Sequence, residues 1–270
     1  MVDSLTVLKF GSSVLPDEDR LGVAVREIQY WVRRGHRVVA VVSALGRSTD
    51  ELLEKADRYA RPGAVADEAS TAALLATGEL TTVALLGLAL AHAGTPAGVL
   101  DSAAIGLSTT GPILDARVTD LDRSAVHRAL SCRPVLVIPG FLGRDECART
   151  TLLGRGGSDL TALFLAGELR ADQCVLLKDV DGLYDQDPAR NPRARRFVRA
   201  SYEDVLGLAE GIVQHKAVRY ARERRVQFTV ASPGRFDGTL IWGGDSLLAE
   251  KPAAAADVVE VTLFKERTRS

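Results

Sequence analysis

Cysteine, histidine and aromatic residues are scarce in this chain. Its three cysteines (Cys132, Cys147, Cys174) form no CxxC pair, so neither a disulfide framework nor a thiolate metal site is expected. Four histidines (His36, His92, His127, His215) show no metal-ligand spacing, which argues against a zinc site built on them. Neither sign of charge is in excess. The 34 Lys and Arg stand against 35 Asp and Glu, and a net charge near zero gives no field that would favour nucleic acid or an anionic membrane. The longest apolar run, Val83 to Ala91, is too short to span a bilayer. The N-terminus, MVDSLTVLKFG, has no basic leader or cleavage site. A cytoplasmic protein with no membrane or nucleic-acid partner is expected.

What the chain does have is 270 residues, 46% of them hydrophobic, enough for a sizeable core. Strand-length apolar runs alternate with amphipathic segments of helix length. Strands are predicted at 5–10, 37–44, 97–102, 133–141, 173–180 and 226–232. Helices are predicted at 20–34, 49–60, 66–93, 158–169, 201–209 and 214–224, with a break at Pro62-Gly63. Near-continuous Val, Leu and Ile runs that alternate with helices predict a mostly parallel sheet covered on both faces. No linker or repeat interrupts the pattern, which gives one α/β unit with two lobes. The arginine-dense stretches 193–196 and 222–225 read as solvated faces.

Ligands of open parallel sheets bind beyond the carboxyl ends of the strands, and the residues that need explaining lie there. Lys9 interrupts an apolar strand and precedes Gly11-Ser12-Ser13. It is either the charge of a phosphate cradle or an edge lysine reaching water. In Gly154-Arg155-Gly156-Gly157-Ser158-Asp159 the glycines permit close backbone approach, and Ser158 and Asp159 suit a helix N-cap. Capping leaves Arg155 unexplained, and its fork fits a carboxylate or a phosphate. Four aspartates (Asp179, Asp181, Asp185, Asp187) surround Gly182 in KDVDGLYDQDP. That is either a polar turn or a nucleotide-binding edge with Tyr184 against a base; the EF-hand pattern fails, since the later glutamate is missing. Glu79 sits in an otherwise apolar helix, where it is either a helix-face carboxylate or the partner of a substrate ammonium.

Together the segments VLKFGSSVL (7–15), VVSALGRSTDELL (41–53), ATGEL (76–80), GFLGRDECARTTLLGRGGSDLTA (140–162) and DVDGLYDQDP (179–188) resemble the catalytic domain of aspartokinases, in the amino acid kinase superfamily. The resemblance runs from about residue 5 to residue 241. It implies a three-layer αβα sandwich around a mostly parallel, eight-stranded sheet. It also implies ATP-dependent phosphorylation of the aspartate side-chain carboxylate, with Mg2+ carried mainly by the ATP phosphates. The matching positions suggest an acceptor lobe over about 1–140, a nucleotide lobe over about 141–245 and an extension over 246–270. Lys9 would neutralise the transferring phosphoryl group and Asp159 would organise that lysine. Ser43, Thr49, Glu79, Phe141, Arg155 and Ser158 would line the amino acid site. Gly11, Ser12, Lys178, Asp179, Tyr184 and Lys216 would serve the nucleotide.

The chain departs from the family pattern on the nucleotide side. The first loop reads KFGSS where KFGGTS is usual, so Ser12 replaces a glycine. Lys178 stands where threonine is usual, and Ala189 where an arginine follows the DP pair. The usual GAKVLHP segment is reduced to residues 211–216, with Lys216 as the substitute for its lysine. Aspartokinases also carry carboxyl-terminal ACT domains that bind feedback inhibitors. Here DVVEVTLFKE (257–266) reads as a single further strand, and no inhibition by lysine or threonine is expected. A homodimer is expected, with a separate regulatory or pathway partner as a further option. Two readings stay open beside the aspartate kinase: a kinase of another small amino or carboxylic acid, and a weakly active ligand-binding subunit.

Overall fold

The computed structural model describes residues 4–59, 67–208 and 211–249. The break at Pro62-Gly63 and the strand at 257–266 lie outside the described residues. The first half of the chain forms β1 (Leu5–Phe10), α1 (Leu21–Arg33), β2 (Arg37–Val42), α2 (Ser48–Tyr59), α3 (Glu68–His92), β3 (Ala97–Val99), β4 (Ser108–Thr110), β5 (Arg117–Asp120) and α4 (Arg123–Cys132). Next come β6 (Val135–Pro139), β7 (Leu142–Arg144), β8 (Thr150–Leu152), α5 (Gly157–Glu168) and β9 (Gln173–Leu177). The last part forms β10 (Phe197–Ser201), α6 (Tyr202–Gly207), α7 (His215–Arg224), β11 (Phe228–Ala231), β12 (Thr239–Trp242) and β13 (Leu247–Leu248).

The Val- and Leu-rich runs pair as expected. A nine-stranded sheet has the order β13-β10-β12-β11-β9-β1-β2-β6-β3. From β11 to β3 all neighbours are parallel. The antiparallel pairs are β11 with β12 and β10 with β13. Side chains alternate across the pleat, so one run serves two cores. Val7, Val39, Val41 and Ile138 face α5 and α7. Leu8, Phe10, Val38 and Val42 face α1 and α3. That is the three-layer αβα sandwich. Each such side chain removed from water stabilises by roughly 1.5–3 kcal/mol.

Three expectations need correction. The sheet has nine strands where eight were implied. A separate four-stranded sheet, β5-β4-β7-β8, was not foreseen; its strands are three or four residues long and rich in Thr and Arg, too short to show a period. Finally, the apolar run near Val83 is part of a 25-residue helix, α3, which is long and apolar enough by composition to cross a membrane. In this fold one side of α3 packs into the core, while its Leu80 and Leu88 are exposed. Leu75, Val83, Leu86 and Leu90 are buried, and so is a glutamate, Glu79. Smaller shifts have local causes. The predicted strand at 97–102 stops at Val99, because the Asp101 carboxylate turns back to accept from the Ala104 N–H. The helix predicted over 201–209 is described as Tyr202–Gly207.

Candidate active site

Because β1, β2, β6 and β9 run parallel, the loops that follow Phe10, Val42, Pro139 and Leu177 meet at one sheet edge. The amino end of α5 arrives at the same edge. Gly156 gets it there with a left-handed backbone (φ 77°), and a Cβ at that position would lie 2.5 Å from Gln214. Gly140 makes room for the first turn of α5, since a Cβ there would lie 2.6 Å from the Ser158 side chain.

This convergence buries a carboxylate between two ammonium groups. Lys9 Nζ lies 2.8 Å from Asp159 Oδ1, and Lys178 Nζ donates to Asp159 Oδ2 at 2.8 Å. Lys9 is 6% exposed and Asp159 3%. The edge-strand reading of Lys9 therefore falls, because β1 is flanked on both sides by β2 and β9. Burial pushes the Asp159 carboxyl up, but the charges of Lys9 and Lys178 outweigh it and hold the group below the usual carboxylate range. Burial pushes Lys178 down, and the neighbouring Lys9 charge adds to that, while Asp159 opposes both. Two lysines and one aspartate leave one positive charge in a dry place, a fit for a transferring phosphoryl group.

Around this cluster the other predicted residues divide by their burial. Glu79 is 2% exposed. Its Oε1 accepts from the Ala44 N–H at 3.3 Å, and its Oε2 has no partner. Burial lifts its carboxyl to about 7. A buried acid with a spare oxygen is a site waiting for a donor. Ser43 follows β2, with its N–H on the Phe10 carbonyl, and Thr49 lies in the first turn of α2. Phe141 is held at φ 69°, a region that is costly for a bulky side chain. Thr161 Oγ1 accepts its N–H, and its carbonyl accepts from Leu153. Arg155 is exposed, with no partner among the described residues. Ser158 is buried in the first turn of α5.

The nucleotide-side residues are more open. The Gly11 carbonyl accepts from the N–H groups of Val14 and Leu15, which closes the first loop into a turn with Ser12 exposed. Asp179 is exposed. The Tyr184 hydroxyl donates to Asp181 Oδ1 at 3.1 Å. Asp179, Tyr184, Leu208, Val213 and Arg235 line a cavity of about 950 Å3. Lys216 points the other way: its Nζ donates to Asp115 Oδ1 at 2.5 Å and to the Leu153 carbonyl at 2.7 Å.

Sequence reading missed Asp115, Arg196 and Arg235. Arg196 is not solvated like its neighbours: it donates to the Asp181 carbonyl at 3.0 Å and pairs with Asp237, which fixes the DVDG loop. Its place in an arginine-dense stretch hid that role. Asp115, in an unremarked turn, gave no signal at all.

The pattern of the amino acid kinase family matches residues 4–232. The chain is 36% identical to aspartokinase 2 of Bacillus subtilis over 244 residues, covering 88% of this chain and 58% of that protein. It is 37% identical to the aspartokinase of Corynebacterium glutamicum over 245 residues, covering 89% and 58%. It thus spans less than two thirds of these relatives. Among solved structures, aspartate kinase from Synechocystis superposes with a TM-score of 0.77 at 32% identity, covering 90% of this chain and 40% of that one. A UMP kinase from Bacillus anthracis, at 20% identity, superposes with a TM-score of 0.67 over 92% of this chain and 99% of its own; that likeness concerns the fold.

Proposed function

The chain belongs to the amino acid kinase family, and on that premise we propose that it transfers the γ-phosphoryl group of ATP to the side-chain carboxylate of L-aspartate. The observation that carries the reading is the buried Lys9–Asp159–Lys178 cluster at the carboxyl ends of β1 and β9. Phosphoryl transfer asks for positioning and charge stabilisation more than for covalent chemistry. Asp159 holds both ammonium groups in place before substrate arrives, so no reorganisation is needed during reaction. On the acceptor side, 1–140 with the first turn of α5, the spare Oε2 of Glu79 takes the substrate ammonium. Arg155 takes the carboxylate that does not react, and Ser158, Ser43, Thr49 and Phe141 complete that wall. On the nucleotide side, within 141–245, Tyr184 and Asp179 line the base and ribose cavity. Gly11 and Ser12 lie beneath the phosphates, and Lys216 turns from Asp115 to meet them. Magnesium bound to the phosphates would neutralise charge on the transferring group. We place the reaction in the cytoplasm and expect a homodimer.

Hydroxylamine trapping tests this reading. The purified chain with MgATP and L-aspartate is expected to yield aspartyl hydroxamate. No product with aspartate, but product with another amino or carboxylic acid, would move the acceptor. No product with any acceptor would favour a ligand-binding subunit. Adding lysine or threonine to the same assay tests the expected lack of feedback, and inhibition by either would overturn that expectation.

A further inference from the structure

Two cavities flank the Lys178–Asp179 step. One is the 950 Å3 cavity assigned above to the nucleotide. The other, of about 670 Å3, lies between α1 and the loop over 232–236. A single stripe of α1 and the residue before it faces this second cavity: Arg20, Val23, Arg26, Glu27, Tyr30 and Arg33. Steps of three or four residues put these side chains on one helix face.

The two walls are fastened to each other. Glu27 Oε2 accepts from the Gly234 N–H at 2.8 Å, and its Oε1 accepts from Trp31 Nε1 at 3.2 Å. Phe236 stacks on Tyr30 with ring centroids 3.7 Å apart and a 12° tilt. The Arg34 guanidinium sits 3.5 Å from the centre of the Tyr30 ring. The cavity is therefore framed by a buried carboxylate and an aromatic pair, and is not a loose surface cleft.

Its charge is unbalanced. Among the described residues, the guanidinium groups of Arg20, Arg26 and Arg33 have no carboxylate at ion-pair distance and no hydrogen-bond acceptor; the Arg20 backbone N–H donates to Asp17 Oδ1. Lys178 also lines the cavity. Against these four cations stand Glu27, whose oxygens are occupied by Gly234 and Trp31, and Asp179. Unpaired guanidinium forks around a concave space match phosphate oxygens in geometry and in charge. Arg20 and Arg33 are thirteen positions apart, roughly 20 Å along a helix axis at about 1.5 Å per residue. One phosphate cannot reach all three, so the spacing favours an extended, multiply charged ligand.

We propose that this cavity is a second anion site, which takes an extended polyphosphorylated ligand alongside the nucleotide, with Arg20, Arg26 and Arg33 as its donors. That a nucleotide occupies the neighbouring cavity rests on the function proposed above. The site adjoins the catalytic cluster, since Lys178 lines the cavity and pairs with Asp159.

Calorimetric titration of inorganic tripolyphosphate into the full chain, at fixed free magnesium, tests this. One equivalent is expected to bind, on the order of tenfold or more tighter than orthophosphate. Binding should persist when a non-hydrolysable ATP analogue saturates the nucleotide cavity. Arg26→Ala combined with Arg33→Ala should weaken it on the order of tenfold, and Arg222→Ala, which pairs with Glu203 away from both cavities, should leave it unchanged. Arg20→Ala, ahead of the helix, gives a second reading with less risk to folding and should also weaken it. Absent binding, displacement by the analogue, or indifference to the arginine substitutions would overturn the proposal. Failure of the analogue to bind would count against the nucleotide reading, while the arginine variants still judge this site.

Discussion

Asp159 and Asp115 each hold lysine, but in opposite surroundings. Asp159 grips Lys9 and Lys178 where its side chain is 4% exposed. Asp115 meets Lys216 on the surface, with the two side chains 69% and 32% exposed. A buried charge has lost its water and depends on its partner, whereas an exposed pair exchanges one set of water-like contacts for another. The first arrangement is fixed by the fold and is ready before any ligand binds. The second is cheap to break, which suits the role proposed for Lys216, in which it leaves Asp115 for incoming phosphates. The Lys9–Asp159–Lys178 cluster is thus rigid and the Lys216 contact soft; of the departures from the family pattern, Lys178 falls in the first and Lys216 in the second.

The largest test of that contrast is Asp159→Ala. It leaves two buried ammonium groups facing each other, and urea denaturation should show a loss of about 3–5 kcal/mol. A loss under ~1 kcal/mol would mean that the cluster is no more committed than the surface pair. Glu79 comes next. Its carboxyl titrates near 7 in the fold and at 4.5 in the reference state. Between those values the unfolded chain ionises first, so stability falls as pH rises through that window. The full cost, on the order of 3 kcal/mol, stands above pH 7. Glu79→Gln should therefore stabilise the protein at pH 8 and change nothing near pH 4; equal effects at both would contradict the burial argument.

On the soft side, Lys216→Ala should raise the KM for MgATP about tenfold, as loss of one charged phosphate contact does, with kcat at saturating nucleotide little changed. Asp115→Ala should be the smallest perturbation. Unfolding free energy should move by less than about 1 kcal/mol, and the KM for MgATP should stay level or fall, because Lys216 is released. A rise in that KM would show that Asp115 holds Lys216 in its working position.

The same contrast explains what the sequence disclosed. Apolar runs such as Val38–Val42 announce buried parallel strands, since only a sheet covered on both faces tolerates them. Lys9 and Glu79 were legible because a charge inside an apolar element demands a reason. The partnership of Lys178 with Asp159 was not, because it joins β9 to α5 through tertiary packing. Strands β4, β5, β7 and β8 stayed hidden, for segments of three or four mixed residues carry no period. Surface contacts such as Asp115 with Lys216 leave no pattern, since exposed charges are common and few of them matter.

The most direct measurement compares single-turnover phosphoryl transfer at saturating MgATP and aspartate in Asp159→Asn and Lys216→Ala. The account predicts that the first loses about 10³-fold or more, while the second approaches the wild-type rate. Near-normal transfer in Asp159→Asn, or collapse in Lys216→Ala alone, would contradict it.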